Sequence, residues 1–219
     1  MGKQRAGRNP ELRRLIANEA ARLIAEEGIR DFLKAKRKAA MRYGVSEREG
    51  GFPTNQEIEQ QVFEYQRLFQ ADSQPAELRR LREAACQAMK LFRDFQPRLV
   101  GQVLLGHATR HSDIQLHLFA DSPEFVVMHL IDREIPFETI ERRFRQTTGD
   151  HVTVPAYRFL AGEITVDAAV FPETGIRAAP ASPVDGRPMK RASLADLENL
   201  LDEEHGGETT DEIGLPGLA

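Results

Sequence analysis

In the stretch "HSDIQLHLF", Asp113, Gln115 and His117 alternate with Ile114, Leu116 and Leu118. Residues two apart on a strand share a face, so the polar three point together while the apolar three face a core. A further carboxylate, Asp167, sits in "EITVDAAVF", on a later strand that could come beside the first. Carboxylates converging from neighbouring strands are what metal-dependent phosphoryl chemistry needs, because hard divalent cations take oxygen ligands and bridge phosphate oxygens. Just upstream, "LLGHATRH" brings Gly106, His107 and Arg110. A glycine turn lets phosphates approach the backbone closely, where His107, Arg110 and the amides of residues 106–110 could meet them. Each feature also has a plainer reading. Asp113 after a turn can cap or bridge locally, and Asp167 can be a polar position on an exposed hairpin face. His107, His111 and His117 have no well-spaced fourth ligand and read more simply as solvated.

The elements that must hold these residues follow from pattern. Residues 10–27 read as a helix, with Pro10 in its first turn and Gly28 as its stop. A second helix over 29–43 puts Phe32, Ala35, Ala39 and Tyr43 on one side and "KAKRK" largely on the other; Gly44 ends it. Thr54 and Glu57 form a capping box for a third helix carrying Ile58, Val62, Tyr65 and Phe69. A fourth, over about 76–95, repeats apolar residues at steps of three and four from Leu78 to Phe95, a core stripe. After Pro97 the pattern changes. "LVGQVLLG" reads as a short buried strand and "SDIQLHLFA" as a second. "SPEFVVMHLIDRE" is a helix capped by Ser122 with Pro123 at its first position. "PFETIERRF" alternates like a strand. "TVPAYRFLAG" and "EITVDAAVF" flank Ala161-Gly162 as a hairpin. Residues 174–191 read as a loop, and "SLADLENLLDEE" as a last helix with Ser193 and Asp196 as its capping pair. No internal repeat is visible. The expected fold class is α+β: a helical N-terminal half packed on a mixed or antiparallel sheet. The expected division is a basic helical region over 1–74, an α+β domain over 75–204 and an acidic disordered tail over 205–219.

In this order of elements the chain resembles the nucleotidyltransferase superfamily, the DNA polymerase beta-like fold. That family's pattern is a strand ending in Gly-Ser or Gly-Gly, a short helical turn, Asp-x-Asp on the next strand, and a third acidic residue on a later strand. Here "QVLLG" ends at Gly106, "HATRH" fills the turn, Ser112-Asp113-Ile114 fits the common Ser-Asp-Ile, and Asp167 takes the third acidic place. The likeness covers roughly residues 76–172. It implies Mg²⁺ held by Asp113, position 115 and Asp167, with Gly106, His107, Arg110 and Ser112 around the phosphates of a nucleoside triphosphate. It also implies transfer of a nucleoside monophosphate to a hydroxyl of a protein, an RNA or a small molecule. Two positions depart from the pattern. His107 stands where a serine follows the glycine, and Gln115 replaces the second metal-binding aspartate. Glutamine keeps a carbonyl oxygen but removes a charge, which lowers affinity for Mg²⁺. His117 suits zinc or manganese better than Mg²⁺.

Composition bounds what else the chain can be. It has 219 residues, 41% hydrophobic and 29% charged, one cysteine (Cys86) and a formal net charge of −4. A single cysteine excludes an internal disulfide and a multi-cysteine zinc site, and a reducing cytoplasm is the simplest home. No apolar run approaches the roughly 20 residues that span a bilayer, so no membrane partner is expected. The charge is unevenly placed: residues 1–48 carry thirteen Lys/Arg against six Asp/Glu, and residues 192–219 carry eight Asp/Glu and no Lys/Arg. The basic end can attract a polyanion or be a solvated face. Few aromatics accompany "KAKRKAAMR", so only phosphate contact with RNA is implied. Two function classes therefore stand: a metal-dependent nucleotidyltransferase, and a lapsed fold of the same kind that binds RNA or a protein through its helical half.

Overall fold

Capping residues set the helical N-terminal half. The computed structural model describes residues 10–45 and 51–208, the last four as backbone only. Helix α1 (Pro10–Glu27) ends before Gly28. Asp31 then accepts a hydrogen bond from the Lys34 backbone N–H and starts α2 (Phe32–Arg42). At α3 (Asn55–Phe69) both halves of the Thr54–Glu57 capping box form. These helices enclose a small core of their own, built on Ile16, Ala20, Leu23, Ala35, Ala39, Ile58 and Val62. Residues 1–9 and 46–50, which fall in the expected basic region, lie outside the described residues.

The second half is a five-stranded mixed sheet with helices on one face. Helix α4 (Gln74–Leu91) leads through a 3-10 turn into β1 (Arg98–Val100), and α5 (Gly101–Leu105) follows directly. Then come β2 (Ile114–Phe119), α6 (Pro123–Ile131), β3 (Phe137–Arg145), β4 (His151–Ala161), β5 (Ile164–Phe171) and α7 (Leu194–Glu208). The spatial order is β1-β2-β5-β4-β3. Only β2 and β5 run parallel; the other pairs are antiparallel. The α+β class, the helical N-terminal half and the mixed sheet are as the sequence leads one to expect.

One expectation needs correction. "LVGQVLLG" is not one strand: the three-residue strand Arg98–Val100 reaches only its first two residues, and "GQVLL" coils into α5. The final helix runs to Glu208, and residues 209–219 of the expected acidic tail lie outside the described residues.

Alternation decides what the sheet buries. Ile114, Leu116 and Leu118 of β2, with Val166, Ala168 and Val170 of β5, pack against Leu81 and Met89 of α4 and Phe92 just after it, Val126 and Leu130 of α6, and Leu197 of α7. At roughly 1.5–3 kcal/mol for each large side chain buried, this is the main core. The opposite face carries a smaller apolar cluster at one end, Phe119, Val154, Ala156, Ala169 and Phe171. Its other end is polar, and there the candidate residues lie.

Candidate functional site

The parallel register brings the sequence-selected residues onto one sheet face. Gln115 pairs with Asp167 across β2 and β5, and Asp113, two residues before Gln115, shares their side. The negative charge of Asp167 is close enough to push the Asp113 carboxyl upward, although burial is the larger cause and Arg30 and Arg158 oppose both. Asp113 and Asp167 are 9% and 5% exposed, so each must be balanced from within the protein.

Arginines provide that balance. Arg30, between α1 and α2, hydrogen-bonds the Asp113 carboxylate and also the His111 carbonyl at 3.1 Å. Asp167 is held by Arg142 of β3, through a close contact to Oδ2 and a 3.3 Å bond to Oδ1, and by Arg158 of β4 at 3.3 Å. Arg158 lies beside Asp167 because β4 and β5 pair at these two positions. The Asp167 contact raises the Arg142 pKa above its ordinary value.

Gln115 is seated against backbone. A Cβ at Gly101 would lie 2.3 Å from Gln115 Oε1, and Gly101 itself has φ +74°. The amide therefore fills the space over the glycine that begins α5. That glycine, not Gly106, is the one that directly follows the strand. Gly106 ends α5 five residues later, and its carbonyl accepts from Gln74 Nε2 at 3.0 Å. Gln102 follows Gly101 and accepts a 2.8 Å bond from Ser112 Oγ, while Ser112 Oγ accepts from the Thr109 N–H at 2.9 Å. Ser112 is thus a turn-forming residue. Arg110 is exposed and bonds the neighbouring His111 ring at 3.1 Å.

Two of the three histidines, His107 and His117, are buried rather than solvated, while His111 is exposed. His117 is 1% exposed, its ring packed edge-on to Phe144 and tilted against Phe171, with Nδ1 accepting from Arg191 Nε at 3.1 Å. Burial, aided by Arg191, holds its pKa down to about 3. His107 is 3% exposed, packs edge-on to Phe63, and is held down to about 4 by burial. Both rings are neutral at pH 7.

A cleft of about 650 Å³ opens beside this face. Gly101, Gln102, His107, Asp113 and Gln115 line one side, and the 182–190 loop closes the other. Asn55 Nδ2 ties that loop to α3 through a 2.6 Å bond to the Pro183 carbonyl. Of the sequence-selected residues, His107, Asp113 and Gln115 line the cleft; Gly106, Arg110, Ser112 and Asp167 are not among its lining residues. Sequence reading missed Arg30, Arg142, Arg158 and Glu59, because nothing local marks an arginine as the partner of an aspartate in another element.

The donor set does not fit Mg²⁺. Asp113 and Asp167 already face guanidinium groups, the residue between them is a neutral amide turned onto Gly101, and no three His, Cys, Asp or Glu side chains among the described residues group closely enough to hold a metal ion. Among the described residues no helix is long and apolar enough to cross a membrane. Comparison with known proteins finds no matching family model, and no significantly similar curated protein or solved structure.

Proposed function

We propose that this chain is a catalytically lapsed nucleotidyltransferase-like fold that acts as a binding module. Support for the fold kinship comes from the order strand, glycine, short helix, strand, with Asp113 at the foot of β2 and Asp167 on β5. Gly101-Gln102 occupies the place of the family's Gly-Ser. The observation that carries the loss of catalysis is the arginine pairing of both carboxylates. Three guanidinium groups stand where a transfer site would need divalent cations to bridge phosphates, and Gln115 adds no charge to compete with them.

Protein is favoured over RNA as the partner of the helical half. At least two of the five basic residues of α2 are engaged internally: Lys38 with Glu27, and Arg42 with Glu19 and Glu27. Leu33, Met41 and Tyr43 on and after the same helix are 44%, 78% and 40% exposed, apolar side chains that phosphate binding does not need.

Calorimetric titration of Mg²⁺ and Mn²⁺, with an assay for transfer from a labelled nucleoside triphosphate, tests the reading. The native chain should give neither metal heat nor transfer. Gln115→Asp adds a third carboxylate to one face; it should lower the melting temperature and still bind no metal. Metal binding by the native chain accompanied by transfer would overturn the proposal, and tight Mg²⁺ binding by Gln115→Asp would make the site a weakened enzyme.

A further inference from the structure

The cleft contains a carboxylate to which the protein offers no donor. Glu59, in the first turns of α3, lines the cleft with its side chain 20% exposed. Among the described residues nothing hydrogen-bonds it; the His107 Nε2 atom stands off at 3.8 Å. Burial raises the Glu59 carboxyl, Asp185 raises it further, and Lys190 opposes them. A carboxylate withdrawn from water normally has a hydrogen-bonded cation. This chain follows that rule at Asp113 and Asp167, which have Arg30 and Arg142. Glu59 departs from it.

His107, part of the same cleft wall, is incomplete in the same sense. Its Nδ1 is buried with no hydrogen-bond partner. With the ring neutral and Nε2 turned toward Glu59, the proton belongs on Nε2, which leaves Nδ1 as a lone-pair acceptor. The Glu59 carboxylate and the His107 ring therefore adjoin in the wall of one cavity. Phe32, Leu33, Leu105 and Met189 give that cavity apolar walls, and its volume lies in the range of small-molecule sites. The cations that line the cleft do not close the gap: Arg30 is bonded to Asp113, Arg187 Nε sits 3.9 Å from Asp185, and Lys190 acts on Glu59 through its charge without a hydrogen bond.

We infer that the cleft binds an organic ammonium, a primary amine on an apolar body, whose N–H groups donate to the Glu59 carboxylate while Asp185 adds to the counter-charge. An ammonium suits the site better than a bare metal ion, because it brings directional N–H donors and needs only one or two acceptors. The inference concerns the cleft alone and stands apart from whether the Asp113–Asp167 face catalyses transfer.

The test uses the full chain, phenethylamine and its neutral near-isostere 2-phenylethanol, followed by NMR titration at neutral pH. The amine should bind saturably and about tenfold or more tightly than the alcohol, with the shifts centred on His107 and its neighbours. Glu59→Gln should lose that preference and, without ligand, should melt at a higher temperature than the native chain. Lys190→Ala removes a competing cation and should strengthen amine binding, a second readout should Glu59→Gln fold poorly. Equal binding of amine and alcohol, unchanged amine binding by Glu59→Gln, or no saturable binding up to about 10 mM would each overturn the inference. None of these outcomes touches the proposed loss of catalysis, which rests on metal titration and transfer.

Discussion

Arg30 and Asp113 are 83 residues apart in sequence and joined by a hydrogen-bonded ion pair between the helical half and the foot of β2. The pair is lopsided: the Asp113 side chain is 6% exposed and that of Arg30 52%. The carboxylate therefore depends on the arginine more than the reverse. Arg30→Ala should destabilise the protein by about 1–3 kcal/mol, the usual cost of leaving a buried polar group unpaired, toward the low end because water reaches the arginine's side. Asp113→Asn in that background should recover part of the loss. Denaturant unfolding of the single and double variants measures both, and additive effects would mean the contact carries no stability.

Acid should unfold this protein through its histidines. His107 and His117 are held down to about 4 and about 3, against an unfolded value near 6.5. For a base whose folded pKa is depressed, the stabilisation is fully present above the unfolded value and is lost as pH falls toward the folded one. Stability should therefore drop between about pH 6.5 and 4, by several kcal/mol in all at about 1.4 kcal/mol per pKa unit. His107→Gln and His117→Asn should each flatten that slope in melting curves recorded against pH. A native melting temperature constant from pH 7 to 4.5 would contradict the burial of both rings.

Arg82 is the joint of α4, α5 and α7. It is 5% exposed, bonds Glu204 of α7, and donates to the Val103 and Leu104 carbonyls at 3.2 and 3.4 Å. A five-residue helix has little stability of its own, and Arg82 satisfies carbonyls at its end. Arg82→Lys keeps the charge but loses the fork. It should cost about 2–4 kcal/mol, in the range for breaking a buried pair, and hydrogen exchange should accelerate first across residues 101–106. Protection there equal to native would show that α5 is held by apolar packing alone.

RNA retention should be weak and should barely respond to the basic helix. A chain that neutralises phosphates shows binding that falls steeply with salt. Lys38 and Arg42 already face Glu27 and Glu19, and Lys36 is partly buried, its pKa lowered by desolvation. Replacing Lys34, Lys36, Arg37 and Lys38 by Ala should leave RNA retention nearly unchanged and lower the melting temperature. A steep native salt slope that the substitutions flatten would restore RNA as the partner.

Local signals were readable in the sequence wherever a few neighbouring residues suffice. Thr54 with Glu57 and Ser193 with Asp196 start their helices as their spacing implies. The β4–β5 hairpin forms as expected but turns one residue later, at Gly162-Glu163. The alternation of Ile114 to Leu118 does put Asp113 and Gln115 on one face. The five residues of "GQVLL" are too few for periodicity to separate a buried strand from a helical turn, which is why α5 was illegible and why Gly106 rather than Gly101 reads as closing the strand. The arginines opposite Asp113 and Asp167 were illegible for another reason: they come from the α1–α2 turn and from β3 and β4, and only the folded topology makes them neighbours. The same holds for Glu59 and His107.

The parallel pairing of β2 with β5 also has a meaning in time. Ile114 pairs with Val166, fifty-two residues on. The β3–β4 and β4–β5 hairpins can form from adjacent segments, but β2 has its antiparallel neighbour only in the three residues of β1 until the whole intervening chain has been made and folded back. Loop closure of that span precedes any reward from the pairing, so docking of β2 should be the slow step of folding. During synthesis, Leu116 and Leu118 would leave the ribosome well before their sheet partner exists. That interval is when this chain would be most exposed to aggregation and most in need of a chaperone.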